Sequence, residues 1–472
     1  MAPKFGTSGL RGLVVELTPG LVADYTRAFL AAVPSGGGLW LGRDLRESSP
    51  AIADAVRDAA RAEGVPVTDC GALPTPALAL AALRAGQAAV MVTGSHIPAD
   101  RNGLKFYAPS GEITKADEAA ILAALGRAPA RGAAPVGDGT AAAAEYVARY
   151  VRAFGPGALS GLRIGVWEHS SVAREVLARV LAATGAEVVA LGRSDSFVPV
   201  DTEAVGAGTR DRLADWAARH GLDAVVSTDG DADRPMLADA SGRIVPGDLL
   251  GPLVAGFLGA EIVVTPVSSN TAVDLAGACR VIRTRIGSPF VIAAMEEVLA
   301  QDPGAKVAGY EANGGFLLGF EAMGPAGPLA PLMTRDSLLP ILAPLAAARA
   351  QGIGIAELAA RLPGRFTASD RLQGIEAGRS AAFLARLGAD PGGFLARLGL
   401  GAEVARDETD GLRLHVAGQE GAGQEGAGDE IVHLRPSGNA PEFRVYVEAA
   451  SPARAEALLA QALERVAQAL EG

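Results

Sequence analysis

The sequence predicts an α/β protein, with three similar mixed α/β domains followed by a C-terminal α+β domain that contains an antiparallel sheet. Short apolar runs alternate with Ala-, Leu- and Arg-rich helical stretches, and this pattern occurs three times along the chain. Each occurrence ends in a polar loop directly after an apolar strand pattern. The final quarter differs, because four short strand patterns joined by turns precede one long helical pattern. At roughly 100–200 residues per domain, 472 residues suffice for about three to four domains.

The individual elements follow from the local patterns. The first repeat has predicted strands at 39–41, 65–68 and 88–93, with helices at 50–63 and 74–84. After a Gly- and Pro-rich break at 155–157, the second has strands at 162–167, 186–191 and 223–228, with helices at 172–183 and 210–220. The third has strands at 261–265, 279–284 and 305–309, with helices at 271–276 and 290–300. The last quarter has strands at 403–406, 411–416, 430–434 and 443–448, and a helix at 452–470. These patterns divide the chain into predicted domains at 1–154, 155–250, 251–366 and 367–472.

Composition and charge argue against several classes of protein. The net charge of −11 disfavours a general nucleic-acid or membrane-surface binder, which needs a basic surface. The two cysteines, Cys70 and Cys279, lie far apart, which disfavours a zinc site or a disulfide framework. The N-terminal residues lack the apolar core of a signal peptide, and the longest apolar stretch, 249–260, is too short to span a bilayer. We expect a cytoplasmic protein with no nucleic-acid and no membrane partner.

The first polar loop, 93–105, combines a hydroxyl with two titratable groups. Ser95 follows an apolar strand and a glycine, which predicts an exposed hydroxyl with open backbone N–H groups around it. His96 and Lys105 add groups that can carry a proton. A nucleophile or phosphate carrier fits this set, although a polar turn with a surface lysine explains this loop equally well.

The second polar loop, 229–234, carries three carboxylates at alternate positions. Asp229, Asp231 and Asp233 would repel one another, and a hard cation such as Mg²⁺ or Ca²⁺ removes that penalty. Three protein ligands leave coordination positions open, which suits a metal that also contacts a phosphate. Arg234 is then a candidate partner for phosphate oxygens. The alternative is an acidic turn exposed to solvent.

The third polar loop, 309–315, has the groups that bind sugar hydroxyls. Glu311 can accept hydrogen bonds from two neighbouring hydroxyls, and Asn313 can both donate and accept. A plain turn after a strand is an equally good interpretation of this loop taken alone.

The fourth loop, 435–441, offers the donors that a phosphate monoester needs. Arg435 supplies a guanidinium, Ser437 a hydroxyl, Asn439 an amide, and the backbone around Gly438 supplies N–H groups. Arg444 follows a short distance along the next strand and adds a second guanidinium. A hairpin turn is the alternative for this loop. Together, however, the four loops supply one function per domain: a hydroxyl that can be phosphorylated, a cation site, a site for sugar hydroxyls, and a phosphate-binding loop. We call the last of these, with Arg444, the phosphate clamp.

The four loops, in this order, resemble those of the α-D-phosphohexomutase family. The resemblance covers essentially the whole chain, including the opening segment from Phe5 to Gly12 (F-G-T-S-G-L-R-G), which is similar to the family's N-terminal substrate-side segment. It implies four domains around a central cleft, with the fourth closing over the substrate phosphate. It implies a phosphoserine at Ser95, and Mg²⁺ held by Ser95 and the three aspartates. In the opening segment it implies a catalytic role for Arg11 and substrate contacts for Thr7 and Ser8.

Several loop positions differ from the commonest family pattern. The first loop has Gly94 and Ile97 where Ala and Asn are usual, and the metal loop has Ala232 where Gly is common. The third loop has Asn313 and Gly315 in place of a serine and a histidine. These variants look most like those of bacterial phosphomannomutases. The resemblance therefore implies mannose as the preferred hexose, with glucose and glucosamine as alternatives.

The resulting hypothesis is a mutase that interconverts hexose 1-phosphate and hexose 6-phosphate, acting as a monomer or homodimer. Phospho-Ser95 gives its phosphoryl group to the substrate, and the hexose 1,6-bisphosphate intermediate turns round and returns the other phosphoryl group. Lys105 or His96 would manage the hydroxyl proton. Two other classes stay open: a Mg²⁺-dependent sugar phosphatase, which would release inorganic phosphate, and a non-catalytic sugar-phosphate sensor.

Overall fold

The first domain is built on an eight-stranded mixed sheet. The computed structural model describes residues 3–6, 9–417, 428–437 and 441–471. In spatial order, seven strands form Lys4–Gly6, Gly9–Leu13, Arg101–Ala108, Ala88–Val92, Leu39–Arg43, Val67–Ala72 and Val136–Asp138, and the eighth, Gly111–Glu112, pairs with Arg101–Ala108. The helices of this part of the chain are Pro19–Ala32, Ser49–Ala62, Thr75–Ala85, Lys115–Ala123 and Ala141–Phe154.

The second and third domains have smaller sheets of the same kind. The second sheet has the order Glu187–Arg193, Arg163–His169, Ala224–Thr228, Pro235–Asp239, with helices Arg174–Ala183 and Ala207–His220. The third has the order Arg280–Thr284, Ile262–Pro266, Val307–Tyr310, Phe316–Leu318, Leu332–Asp336, and a two-stranded ribbon of Ala322–Met323 and Pro328–Leu329 lies beside it. The helices there are Gly247–Leu258, Ala272–Ala276, Ser288–Gln301, Leu339–Gln351 and Ile355–Ala359. The first of these helices, Gly247–Leu258, crosses residue 250, where the sequence analysis placed a domain limit. The domain limits therefore stay predictions.

The first three polar loops occupy equivalent positions in their sheets. In each domain a central strand that pairs in parallel with its neighbour is followed by the loop and then by an antiparallel partner: Ala88–Val92 with Arg101–Ala108, Ala224–Thr228 with Pro235–Asp239, and Val307–Tyr310 with Phe316–Leu318. The loops are therefore hairpin tips at the carboxyl ends of central strands, where open α/β sheets bind ligands.

The strand that begins at Arg101 departs from the prediction, which assigned its first residues to a loop. Asn102 and Lys105 interrupt the apolar pattern although both are buried. They are buried because they contact polar groups inside the protein, so strand formation here depends on tertiary contacts that local sequence cannot specify.

The C-terminal domain has the predicted antiparallel sheet and the predicted closing helix, together with two further helices that the sequence analysis did not predict. Its strands have the order Phe366–Gln373, Glu442–Ala449, Glu430–Pro436, Leu412–Val416, Glu403–Asp407. Its helices are Ala377–Ala389, Gly392–Arg397 and Pro452–Glu471. One face of the sheet packs on these helices around Leu434, Phe443 and Val445. The other face carries polar residues, since side chains alternate between the two faces of a strand.

One helix, Ala141–Phe154, ties the first domain to the third. The hydroxyls of Tyr146 and Tyr150 both donate to the buried carboxylate of Asp336, at the end of the last strand of the third sheet, the first of them at 2.5 Å. The aromatic rings of this helix continue into an apolar core that extends through the first three domains. In the described part of the chain, no helix is long and apolar enough to cross a bilayer.

Candidate active site

The hairpin tips of the first and second domains meet directly. The Ser95 hydroxyl donates to Asp229 Oδ2 at 2.6 Å, and the Thr75 hydroxyl donates to Asp231 Oδ2 at 2.8 Å. The backbone N–H of Thr75 also donates to the carbonyl oxygen of Asp231 at 2.9 Å. Thr75 begins a helix of the first domain, so the site forms part of the interface between the two domains.

The serine is held in an unusual conformation. Ser95 has a φ of +51°, in the left-handed region that non-glycine residues seldom occupy. Its N–H donates to the Thr93 hydroxyl at 2.8 Å, and that hydroxyl donates to Asp44 Oδ2 at 2.9 Å. Ser95 is only 2% exposed. The expectation of an exposed hydroxyl with open backbone N–H groups is therefore wrong, because the acidic loop covers the hydroxyl and Thr93 binds the N–H.

Arg46 fixes the serine loop, and the sequence analysis missed it. Its guanidinium is buried and pairs with Asp44 at 3.2 Å. The guanidinium donates to four loop carbonyls, those of Ser95 (2.9 Å), Ile97 (2.6 Å), Pro98 (2.7 Å) and Arg101 (3.1 Å). A Cβ added to Gly94 would lie 2.6 Å from this guanidinium, so glycine is the residue that fits at that position. The only signal in the sequence was a charged Asp-x-Arg directly after a strand.

The acidic loop forms a buried triad. Asp229, Asp231 and Asp233 each offer a carboxylate oxygen within 4.8 Å of the others, and Asp231 Oδ1 and Asp233 Oδ1 are buried without a hydrogen-bond partner. Burial, together with the charges of Asp231 and Asp233, raises the pKa of Asp229 well above its usual value. Three hard oxygen donors with unpartnered buried atoms are the environment in which a divalent cation binds, so these residues fit a metal ion.

Lys105 partly neutralises this triad. Its ammonium group lies 2.6 Å from Asp231 Oδ2 and 2.5 Å from Asp233 Oδ2. Burial alone would lower the pKa of Lys105, but the two carboxylates outweigh it and raise that pKa. Burial would likewise raise the pKa of Asp231, and Lys105 outweighs it and lowers that pKa. Lys105 and Asp231 are therefore both charged at neutral pH.

His96 and Arg11 lie close to the serine and the acidic triad. His96 Nδ1 is 3.3 Å from Ser95 Oγ. Burial and the positive charges of Arg234 and Arg11 lower the pKa of His96 to about 2, so the imidazole is neutral at physiological pH. Burial and the positive charges of Arg234 and Arg335 lower the pKa of Arg11 to about 10. Several positive charges therefore lie beside the acidic loop, which suits an anionic substrate.

Arg335 joins the acidic loop to the third hairpin tip, and it too was missed. Its guanidinium lies 2.7 Å from Asp233 Oδ2 and 3.0 Å from Glu311 Oε2. Asn313 Oδ1 accepts from the N–H of Gly315 at 2.9 Å, so Asn313 stabilises the turn. A Cβ on Gly315 would lie 3.0 Å from the Arg335 side chain. The arginine therefore fills the space where a larger residue at 315 would extend.

The predicted phosphate clamp lies on the polar face of the C-terminal sheet. Arg435 and Arg444 are direct cross-strand partners, and the N–H of Ser437 donates to the carbonyl of Glu442 at 2.8 Å. Arg435 pairs with Asp410 at 3.3 Å. Among the described residues, the contacts of Arg435 and Arg444 are with their own domain, for example with Asp410 and Glu442. Four other predicted positions, Thr7, Ser8, Gly438 and Asn439, lie outside the described residues.

Comparison with known families agrees with this architecture along the chain. Models of the phosphoglucomutase/phosphomannomutase α/β/α domains I, II and III match residues 2–131, 144–242 and 247–366, and the model of the C-terminal domain matches residues 384–465. All four domains thus occur in the family order.

Individual relatives match over nearly their whole length. The chain is 46% identical to a phosphomannomutase of Sinorhizobium fredii, with 98% of each chain covered. It is 42% identical to a phosphomannomutase of Salmonella muenchen, covering 95% of this chain and 92% of that one. The fold matches a phosphoglucomutase/phosphomannomutase family protein of Burkholderia thailandensis, with a TM-score of 0.73, 21% identity, and 98% and 96% coverage. The chain therefore belongs to the phosphoglucomutase/phosphomannomutase family.

Proposed function

We propose that this protein is a hexose phosphate mutase in which Ser95 carries the phosphoryl group between the 1- and 6-positions of the sugar. The hydrogen bond of 2.6 Å between Ser95 Oγ and the triad carboxylate Asp229 carries this proposal. It brings a hydroxyl to the edge of a site suited to a divalent cation, which is the arrangement that phosphoryl transfer needs.

In the first half-reaction, the bond between Ser95 Oγ and phosphorus breaks while a bond forms from phosphorus to the free hydroxyl oxygen of a hexose monophosphate. Over the step one proton moves from the sugar hydroxyl to Ser95 Oγ, so no net proton is released. His96, 3.3 Å from Ser95 Oγ, and Lys105 are the proposed groups for this relay. The product is a hexose 1,6-bisphosphate, and the second half-reaction runs the same step in reverse from the other phosphate.

The proposed ligands of Mg²⁺ are Asp229, Asp231 and Asp233, with an oxygen on Ser95. The bound cation would neutralise charge on the transferring phosphoryl group. Other side chains of the protein would bind the substrate. Arg11 and Arg234 attract its negative charge, and Glu311 accepts hydrogen bonds from the sugar hydroxyls. Arg435, Ser437 and Arg444 bind the phosphate that does not react.

Mannose is the proposed sugar, because the two relatives above are phosphomannomutases and cover the substrate loops as well as the catalytic ones. Glucose and glucosamine are the alternatives. We expect mannose 1-phosphate to exceed both in kcat/KM by about tenfold or more, the discrimination expected when one mispaired hydroxyl leaves a buried polar group unsatisfied. The measurement is a rate panel of the three sugar phosphates with Mg²⁺ and a catalytic amount of hexose 1,6-bisphosphate.

The same panel separates the mutase from the two other classes. A phosphatase would release inorganic phosphate at the rate at which substrate disappears, and a sensor would bind the sugar phosphates without turnover. Isomerised hexose phosphate with little inorganic phosphate is the expected result. Stoichiometric phosphate release would contradict the proposed function.

A further inference from the structure

One turn of the C-terminal domain, residues 408–411, packs against the strand that carries the phosphate clamp. It joins the edge strand of the sheet to the next strand. Gly411 has a φ of +90°, and a Cβ there would lie 2.4 Å from the carbonyl oxygen of Leu434 and 2.6 Å from the Cβ of Arg435. Glycine at this position therefore allows the turn to approach the clamp arginine closely.

Asp410 is the residue of this turn whose side chain contacts the clamp. Its Oδ1 lies 3.3 Å from Arg435 Nε, and only 9% of the Asp410 side chain is exposed. His433 also holds the turn, because its Nε2 donates to the carbonyl oxygen of Asp410 at 2.6 Å. The nitrogen nearest to Asp410 is Nε, the inner nitrogen of the guanidinium, so an anion can bind at the two outer Nη groups.

The other carboxylate oxygen of Asp410 contacts a different domain. The backbone N–H of Ile286, in the third domain, donates to Asp410 Oδ2 at 2.9 Å. Ile286 lies in the short loop between the strand Arg280–Thr284 and the helix Ser288–Gln301. One carboxylate therefore contacts both an arginine of the clamp and the backbone of the third domain.

The loop that contains Ile286 is itself attached to the first domain. The hydroxyl of Ser288, a buried residue, donates to Glu112 Oε2 at 3.0 Å. The Thr334 hydroxyl donates to Glu112 Oε1 at 3.0 Å, so this carboxylate of the first domain bridges two segments of the third. The clamp is thus connected, through the third domain, to the domain that carries Ser95.

We propose that Asp410 is a positioning residue that orients Arg435 for the substrate phosphate and attaches the phosphate clamp to the third domain. This inference rests on the proposed function, because that function assigns Arg435 to the phosphate that does not react. A long arginine side chain loses conformational freedom when it binds a ligand, and an ion pair that orders it beforehand reduces that loss. Because one carboxylate makes both contacts, it sets the orientation of the arginine and of the domain together.

This role has a kinetic signature. The clamp binds a phosphate that does not react, so it binds the ground state and the transition state alike. A loss of positioning should therefore raise KM and leave kcat nearly unchanged. A purely structural role would instead reduce the folded fraction, which lowers the apparent kcat and leaves KM unchanged. A carboxylate that only competed with phosphate would lower KM when it was removed.

The test is a double-mutant cycle between Asp410→Ala and Arg435→Met, made in the full chain with Mg²⁺. Calorimetry gives the affinity for mannose 6-phosphate, and the mutase assay gives KM and kcat. We expect Asp410→Ala to weaken binding and raise KM by about five- to twentyfold, the effect of losing one charge-assisted contact to phosphate. In the Arg435→Met background the same substitution should change the affinity by less than about twofold.

Two further variants complete the design. Glu408→Ala removes an exposed carboxylate of the same turn and is the matched control, which should leave the affinity unchanged. Asp410→Asn keeps an oxygen that can accept from the Ile286 N–H and removes the charge that pairs with Arg435. It should also weaken binding, and it decides the question if the unfolding curve of Asp410→Ala shows that this variant does not fold. The single variants decide where Arg435→Met binds too weakly to measure.

The outcomes separate this inference from the proposed function. Unchanged or tighter binding in the Asp410 variants overturns the positioning role even if the unchanged chain is a mutase. An equal loss of affinity with and without Arg435 also overturns it, because the aspartate would then not act through the arginine. Weaker binding in variants of a chain that isomerises no hexose phosphate supports the positioning role and removes the proposed function. Absence of mannose 6-phosphate binding in the unchanged chain overturns the assignment of the clamp and this inference with it.

Discussion

Ser95→Ala should reduce mutase activity by at least about a thousandfold, since the variant has no oxygen to carry the phosphoryl group. The fold should persist. Alanine tolerates the backbone at 95 about as well as serine, and the loop is held mainly by the hydrogen bonds of Arg46 to its carbonyls. The loss of the hydrogen bond to Asp229 should cost about 1–3 kcal/mol of stability. The measurement is the rate of conversion of mannose 1-phosphate to mannose 6-phosphate, together with a thermal unfolding curve.

A matched control for this variant is Ser110→Ala. Ser110 is an exposed serine in a turn of the same domain, so its removal tests the effect of losing a hydroxyl away from the site. Unchanged activity in the control and near-complete loss in Ser95→Ala is the expected pair of results. If Ser95→Ala retained more than about a tenth of the activity, the serine could not be the carrier.

Lys105→Met should destabilise the metal-free protein by about 3–5 kcal/mol, because it leaves the buried carboxylate of Asp231 without the cation that pairs with it, while Asp233 keeps its pair with Arg335. The ammonium lies within 2.6 Å of Asp231 and 2.5 Å of Asp233, and methionine has a similar length but no charge. Mg²⁺ should recover much of this loss, because a ligand that binds only the folded state stabilises it. Mg²⁺ should therefore raise the midpoint temperature of the first unfolding transition by more in the variant than in the unchanged chain.

The activity of Lys105→Met with saturating Mg²⁺ should still fall by about a hundredfold, the usual contribution of a proton-transfer group. Lys115→Met is the control, because Lys115 is an exposed lysine of the same domain that pairs with Glu118 at the surface. Equal unfolding temperatures and equal magnesium shifts in Lys105→Met and Lys115→Met would show that Lys105 does not neutralise the triad.

The fold and the positions of the loops could be predicted from the sequence because both depend on local patterns. Buried central strands such as Ala88–Val92 are continuous apolar runs, and the polar residues that follow them mark the carboxyl edge of the sheet. The four-domain prediction is confirmed by the family match. The structure also brings Ser95, Lys105 and the three aspartates within contact distance, although these loops come from different domains.

The residues that were missed act through contacts that sequence spacing does not reveal. Arg46 lies far from the serine loop in the chain, and its role depends on four backbone carbonyls, which have no side-chain signature. Arg335 lies in an ordinary strand, Leu332–Asp336, and only the meeting of the second and third domains adds Asp233 to its partner Glu311.

The most direct test of the proposed mechanism is to determine which side chain carries the phosphoryl group between the two half-reactions. The metal-loaded protein is mixed with hexose 1,6-bisphosphate, quenched with acid, and examined by intact mass and by peptide mapping. We expect the mass of one added phosphoryl group on the peptide that contains Ser95, and its loss when excess hexose monophosphate is supplied. A peptide that stays unmodified while isomerisation proceeds, or a phosphoryl group on another side chain, would contradict the account.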